Sequence, residues 1–239
     1  MLKFIRKIIF PPKCFICRKL LPFNQKVPYI CKDCAPLKDI LSPNFCEKCL
    51  KPRDISPHSP FCPYCNGEKF PFELFVSPFI NQGAIKKSIL DIKFANKCDS
   101  SLTYAHYINI RIKSLKKISP QVIVPAPSSK ERMEERGYNP PSLIAQCLSD
   151  FLSLPVDEVV TKIKHTPPQS TLTIKERETN LKDAFEAREN SYKSVLLVDD
   201  IYTTGSTVRE ICKELKKSGV RTIYVTTVAK TLPKDFNND

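Results

Sequence analysis

The run Val195-Leu196-Leu197-Val198-Asp199-Asp200-Ile201-Tyr202-Thr203-Thr204-Gly205-Ser206-Thr207 constrains the fold of this chain more than any other stretch. Four consecutive apolar residues read as a strand buried on both faces, the habit of strands in parallel sheets. Two carboxylates close the strand, and a turn of hydroxyl residues around one glycine follows. Val208 to Leu215 then carries apolar residues at helical spacing. A strand that ends in carboxylates and feeds a helix through small residues puts those polar groups at the carboxyl edge of an α/β sheet, where such sheets bind ligands.

The residue types narrow the ligand. Backbone N–H groups of a turn and of a helix start favour an anion. Thr203, Thr204, Ser206 and Thr207 add short hydroxyls, and Gly205 allows close backbone approach, so the five residues can wrap one phosphate. Asp199 and Asp200 suit the vicinal hydroxyls of a ribose, and two carboxylates beside a pyrophosphate also suit Mg²⁺. Neither GxGxxG nor GxxxxGK[ST] is present, which excludes the common dinucleotide and P-loop readings of this turn. An ordinary strand, turn and helix with capping hydroxyls accounts for any one Thr here, but not for the whole run.

Eight of the eleven cysteines fall in four CxxC pairs, Cys14/Cys17, Cys31/Cys34, Cys46/Cys49 and Cys62/Cys65, separated by 13, 11 and 12 residues. With no export signal, that pattern indicates a reducing, cytoplasmic setting and two closed Cys₄ zinc sites rather than disulfides. The intervening Pro- and Lys-rich loops cannot build a core, so metal must supply the folding energy of residues 1–70. The simplest pairing puts the first two CxxC pairs on one ion and the last two on another; a cross-braced pairing is the alternative. His58 lies in the last loop as a competing ligand or a surface residue. Cys98, Cys147 and Cys212 stand alone in helical patterns. Met1 to Phe10 is apolar and basic, which fits a packing arm or a membrane-surface anchor, and no apolar run reaches the 18–20 residues, roughly, of a spanning helix.

The formal charge is +13, concentrated toward the cysteine-rich segment, although eight thiolates on two dications would reduce it. Two roles fit that segment. One is stability and docking. The other is nucleic-acid contact through Lys13, Arg18, Lys19, Lys32, Lys48, Lys51 and Arg53, with Phe15, Phe45 or Tyr64 as stacking surfaces.

Residues 71–232 read as one α/β domain, with a frayed tail over 233–239. Strands are expected at Glu73–Ile80, Val122–Val124, Val159–Ile163 and Arg221–Ala229, and helices at Gln82–Phe94, Leu102–Ile118, Pro140–Leu152 and Lys175–Leu181. Helices between strands imply a parallel sheet covered on both faces. The loop Ser128–Asn139 follows a strand, as the opening motif does, so Lys130, Arg132 and Arg136 are expected on the same edge, facing a pyrophosphate. The polar, Pro-rich stretch Lys164–Thr173 is expected to be a lid. His165 is a candidate acid or base, and His106 a helix-surface residue.

Several segments together resemble the ComF family of bacterial DNA uptake. They are the double CxxC module, Gly83-Ala84-Ile85-Lys86 through Lys93-Phe94, Val124-Pro125-Ala126-Pro127 with Lys130, Arg132, Arg136, Gly137, Tyr138 and Asn139, the spaced set Thr166, Gln169, Leu172, Arg177, Asn180, Ala184 and Phe185, and Val198–Thr207. The last is similar to the phosphoribosyl pyrophosphate (PRPP) loop of type I phosphoribosyltransferases. Ser128, Ser129, Pro140 and Lys164 depart from the family's usual residues. The resemblance implies a type I phosphoribosyltransferase-like parallel sheet behind a double zinc ribbon. It implies PRPP as ligand, with Mg²⁺, and two structural Zn²⁺. Asp199 and Asp200 would be the catalytic carboxylates, Thr166, Gln169 and Arg177 lid residues. Single-stranded DNA and uptake machinery at the inner membrane would be partners. Phosphoribosyl transfer to an acceptor, PRPP-dependent accessory binding without turnover, and nucleotide salvage remain three distinct uses of such a chain.

Overall fold

A computed structural model describes residues 11–34, 46–49, 62, 65, 69–94, 100–115, 118–164 and 181–232. Its centre is a five-stranded sheet built from β1 (Leu74–Val76), β2 (Phe79–Ile80), β3 (Val122–Pro125), β6 (Ser194–Tyr202) and β7 (Thr222–Lys230). The order is β1-β7-β6-β3, with β2 also pairing β7, and every pair is parallel. The strand expected over Glu73–Ile80 is two short strands, because the chain bends at Ser77-Pro78 and a proline cannot donate to the ladder.

β6 lies between two partners and is covered on both faces. Val195 and Leu197 point into one apolar cluster and Leu196 and Val198 into the other. The period-2 alternation of a strand thus feeds two cores from four consecutive residues. Burying each such side chain contributes roughly 1.5–3 kcal/mol. One face is packed by α5 (Ser206–Lys217), whose Val208, Ile211, Cys212 and Leu215 form its buried stripe. The other face is packed by α1 (Gly83–Phe94), α2 (Ser100–Leu115) and α4 (Pro140–Leu152). α4 begins with Pro140 and Pro141, where missing N–H groups cost nothing, and buries Ile144, Ala145 and Leu148.

β3 therefore leads to a helix on one face, and its neighbour β6 leads to a helix on the opposite face. The loops diverge between them, which opens a crevice at the carboxyl ends of these two strands.

Two local expectations need correcting. The loop Ser128–Asn139 contains a helix of its own, α3 (Lys130–Arg136), which is closed by Gly137 at φ 75° with its N–H donating to the Met133 carbonyl. β4 (Val160–Lys162) is outside the parallel sheet. It pairs antiparallel with β5 (Phe185–Ala187) in a separate two-stranded ribbon. An antiparallel pair needs no crossover connection between its strands. Of the expected lid Lys164–Thr173 and helix Lys175–Leu181, residues 165–180, His165 among them, lie outside the described residues, as do Cys98 and the tail.

The cysteine knuckles pack onto the α/β body. Phe15 packs edge-on against Tyr104 of α2 at 5.7 Å between ring centroids, and the Tyr29 amide donates to Thr103 Oγ1 at 3.2 Å. The Phe75 amide of β1 donates to the Glu47 carbonyl at 2.7 Å, and Lys230 of β7 donates to the Cys49 carbonyl.

Candidate functional site

The crevice is a cavity of about 480 Å³. Asp199, Asp200 and Ile201 from the end of β6, Thr203 and Thr207 from the following turn, and Ala126 to Ser129 after β3 form part of its wall. Arg132 and Arg136 on α3 reach the same space, together with Lys86, Leu90 and Lys93 of α1 and Lys162 of β4. The expected carboxylates, Arg132, Arg136 and, from the expected phosphate turn, Thr203 and Thr207 are thus brought together; Thr204, Gly205 and Ser206 do not line this cavity. Nor does Lys130: it sits in the first turn of α3, exposed, and is not among the lining residues.

Asp199 is nearly buried and Asp200 is half-buried. Burial, reinforced by the adjacent Asp200 charge, raises the Asp199 carboxyl from 3.8 to about 7. Its Oδ1 accepts the Asp200 amide at 2.8 Å, and Lys93 Nζ pairs with Asp200 Oδ2 at 2.5 Å. A desolvated carboxylate whose charge is only partly offset suits a hard dication, so these two side chains fit Mg²⁺ held together with phosphate oxygens.

The phosphate turn is shaped by Tyr202 and Gly205. Gly205 takes φ 78°, and a Cβ there would lie 2.2 Å from the Tyr202 hydroxyl oxygen. No other residue fits that position without displacing the ring. Thr204 Oγ1 and Ser206 Oγ are hydrogen-bonded at 2.8 Å, and the Arg209 amide already donates to the Gly205 carbonyl. Thr203, Gly205, Ser206 and Thr207 line a water-sized depression of about 10 Å³ at the start of α5, where helix N–H groups favour an anion.

Opposite it the wall is cationic. Burial, then the neighbouring Arg132, lowers the affinity of both Arg136 and Lys162 for their protons. Like charges crowded in this way favour an anion between them. Asn139 holds the loop in place: its Nδ2 donates to the Ala126 carbonyl and to Ser142 Oγ, both at 2.9 Å, while its Oδ1 accepts Ser128 Oγ at 2.7 Å.

Lys86, Lys93 and Lys162 were not among the expected site residues. Lys86, Leu90 and Lys93 are spaced i, i+4, i+7, one face of α1, and Leu90 is 43% exposed on it. An apolar residue flanked by two lysines on a helix face that turns away from the core was the available signal. Thr166, Gln169 and Arg177 lie outside the described residues.

The cysteines cluster as Cys14, Cys17, Cys31, Cys34 and as Cys46, Cys49, Cys62, Cys65, with all four sulfurs of each group within 4.8 Å of one another. This is the sequential pairing, not the cross-braced one. Cys17–Cys31, Cys46–Cys65 and Cys49–Cys62 stand at 3.7 Å between sulfurs. A zinc tetrahedron with bonds of about 2.3 Å has edges of about 3.8 Å, so the groups fit the ion. Hydrogen bonding from Cys49 pulls Cys46 down to about 4, while desolvation and then Cys46 and Cys62 push Cys65 up to about 12. A dication would let all four ionise together.

Phe15 is 2% exposed and cannot stack on a base. Lys19 and Lys48 pair with Asp33 and Glu73 at 3.3 and 3.4 Å. Phe45, Tyr64, Lys51, Arg53 and His58 lie outside the described residues. Among those described, no helix is long and apolar enough to cross a membrane.

Residues 142–236 match the model of the phosphoribosyl transferase domain family. Competence protein F of Haemophilus influenzae is 31% identical over 229 residues, covering 91% of this chain and 96% of the relative. DNA utilization protein YhgH of Escherichia coli K12 is 28% identical over 228 residues, covering 93% and 98%. Competence protein ComFC of Bacillus subtilis is 28% identical over 223 residues, covering 84% and 82%.

Proposed function

Because this chain belongs to the ComF family of competence proteins, we propose that it binds PRPP with Mg²⁺ in the crevice between β3 and β6 and that it serves DNA uptake. The observation that carries this reading is the convergence on one 480 Å³ cavity of two strand-end carboxylates, the two ends of the glycine-centred turn, Thr203 and Thr207, and a cationic wall. The 5-phosphate is assigned to the cradle of Thr203 to Thr207, the ribose hydroxyls to Asp199 and Asp200, and the pyrophosphate to Arg132 and Arg136. Mg²⁺, when bound, would neutralise pyrophosphate charge beside the carboxylates.

The same arrangement suits transfer at the anomeric carbon. The bond to pyrophosphate breaks with its electron pair leaving on oxygen, and an acceptor atom that gives up a proton forms the new bond. Asp199 and Asp200 face the positive charge that develops on the sugar, and Arg132 and Arg136 face the negative charge on the leaving group. Lys93 pairs with Asp200 in the ligand-free site.

Two assays test the reading. A strain lacking this protein should recover transformation with the wild type and not with a folded Asp199→Asn/Asp200→Asn variant; equal recovery by both would refute a role for the crevice in uptake. Pyrophosphate release from PRPP, with and without single-stranded DNA or free bases, separates transfer from binding alone.

A further inference from the structure

We propose that the second zinc centre positions the phosphate turn through Lys230 and a ladder of aromatic rings, so that zinc at Cys46, Cys49, Cys62 and Cys65 and PRPP at Thr203 to Thr207 stabilise one another. The inference rests on the phosphate-binding reading above.

Lys230 ends β7, opposite Tyr202 at the end of β6 in the sheet register. It is a lysine only 6% exposed, and a buried ammonium must find acceptors. Its Nζ donates to the Cys49 carbonyl of the zinc knuckle and lies 5.8 Å from the Phe75 ring centroid and 5.3 Å from that of Tyr202. One cation thus bridges a metal knuckle and two aromatic faces. The rings continue the connection. Phe70 packs against the cysteine cluster, Phe70 meets Phe72 at 5.4 Å, Phe72 meets Phe75 at 6.0 Å, and Phe75 meets Tyr202 at 4.5 Å. Tyr202 ends the series with its hydroxyl in the space above Gly205.

The knuckle is also joined to the sheet edge by the Phe75 amide on the Glu47 carbonyl, 2.7 Å. Losing the metal releases the Cys49 carbonyl and removes an acceptor from a desolvated ammonium. The rings that pack on that ammonium include the one that shapes the phosphate turn. A turn already ordered by PRPP holds Tyr202, and through it Lys230, in the arrangement that the zinc-bound knuckle needs. Coupling of this kind is reciprocal by linkage. The first zinc centre packs on α2 instead, through Phe15 and Tyr29, and has no comparable connection to the turn among the described residues, so it serves as an internal control. Lys230 is a positioning residue in this scheme, not a ligand of either site.

The test follows zinc loss at each centre separately. Full-length zinc-loaded protein is exposed to a chelator and N-ethylmaleimide, and alkylation of each cysteine is timed by peptide mass spectrometry, with and without saturating Mg²⁺-PRPP. PRPP should slow modification of Cys46, Cys49, Cys62 and Cys65 by about fivefold or more and leave Cys14, Cys17, Cys31 and Cys34 unchanged, the low end of coupling between linked sites. In Lys230→Met that protection should fall below about twofold and PRPP should bind about fivefold more weakly, with Lys230→Arg restoring both. Protection absent in the wild type, equal at both centres, or fully retained in Lys230→Met overturns the inference. If Lys230→Met does not fold, the contrast between the two wild-type centres and the behaviour of Lys230→Arg decide it. Wild type that binds no PRPP by calorimetry removes the phosphate reading and this inference with it, whereas binding without selective protection removes this inference alone.

Discussion

Replacing Asp199 by Asn should stabilise the ligand-free protein, and the gain should depend on pH. Asp199 is 9% exposed, and its carboxyl is raised from 3.8 to about 7, chiefly by burial and then by Asp200. A folded-state value above the unfolded one means the native state holds a proton that the unfolded chain releases. The stability from this group is complete below about pH 4 and is lost as pH rises through about 7. At about 1.4 kcal/mol per pH unit, the full loss at pH 8 is about 4 kcal/mol. Asn carries no charge, keeps an oxygen for the Asp200 amide, and adds an amide that must find its own partners. About 1–3 kcal/mol of the penalty should therefore be recovered at pH 8, or about 2–4 °C in Tm per kcal/mol for a body of this size. At pH 5.5 the wild-type carboxyl is already mostly protonated when folded, so the advantage should shrink by about half. Thermal unfolding of zinc-loaded wild type and variant at the two pH values measures both quantities. A variant less stable than wild type at pH 8, or a gain that is the same at pH 5.5, would refute the assignment of Asp199 as a desolvated, strained carboxyl. The stabilised variant should also bind PRPP more weakly, since the same charge is expected to serve the ribose.

Other perturbations address separate parts of the site. Gly205→Ala should cost about 1–3 kcal/mol and weaken PRPP binding, because φ 78° is unfavourable for alanine and its Cβ meets the Tyr202 hydroxyl; urea unfolding and calorimetry check it. Lys93→Met should cost about 1–3 kcal/mol by leaving Asp200 without its partner, and the Lys93→Met/Asp200→Asn double variant should regain most of that loss in the same unfolding assay. Cys31→Ser should lower zinc content by elemental analysis from about two equivalents to about one, the ion at Cys46 to Cys65 being retained. Loss of both ions would contradict separate centres.

Much of this was legible in the sequence for identifiable reasons. Val195–Val198 signalled a two-sided strand because period-2 alternation in a doubly covered sheet leaves no polar position. The CxxC spacing signalled zinc because each knuckle is a local structure. The sequential pairing followed the simplest reading for the same reason. The misses were non-local. Nothing in Val159–Ile163 distinguishes a strand of the central sheet from one of a separate ribbon, since either buries an apolar pair; the choice was made by its pairing with Phe185–Ala187, far along the chain. The helix Lys130–Arg136 was obscured by its charge pattern, having no buried residue to mark a face. The pairings of Lys93 with Asp200 and of Lys230 with Cys49 join residues far apart along the chain, which no local pattern records. Phe15, read as a stacking surface beside basic residues, is instead the ring by which the first knuckle docks on Tyr104.

Calorimetric titration of Mg²⁺-PRPP into the zinc-loaded wild type and into Asp199→Ala/Asp200→Ala tests the crevice most directly. We expect saturable binding at about one PRPP per chain in the wild type and a loss of about tenfold or more in the double variant, as befits two charged contacts removed from a desolvated wall. Undetectable binding to the wild type, or equal binding to both proteins when both are folded, would contradict the assignment of the β3–β6 crevice as a PRPP site.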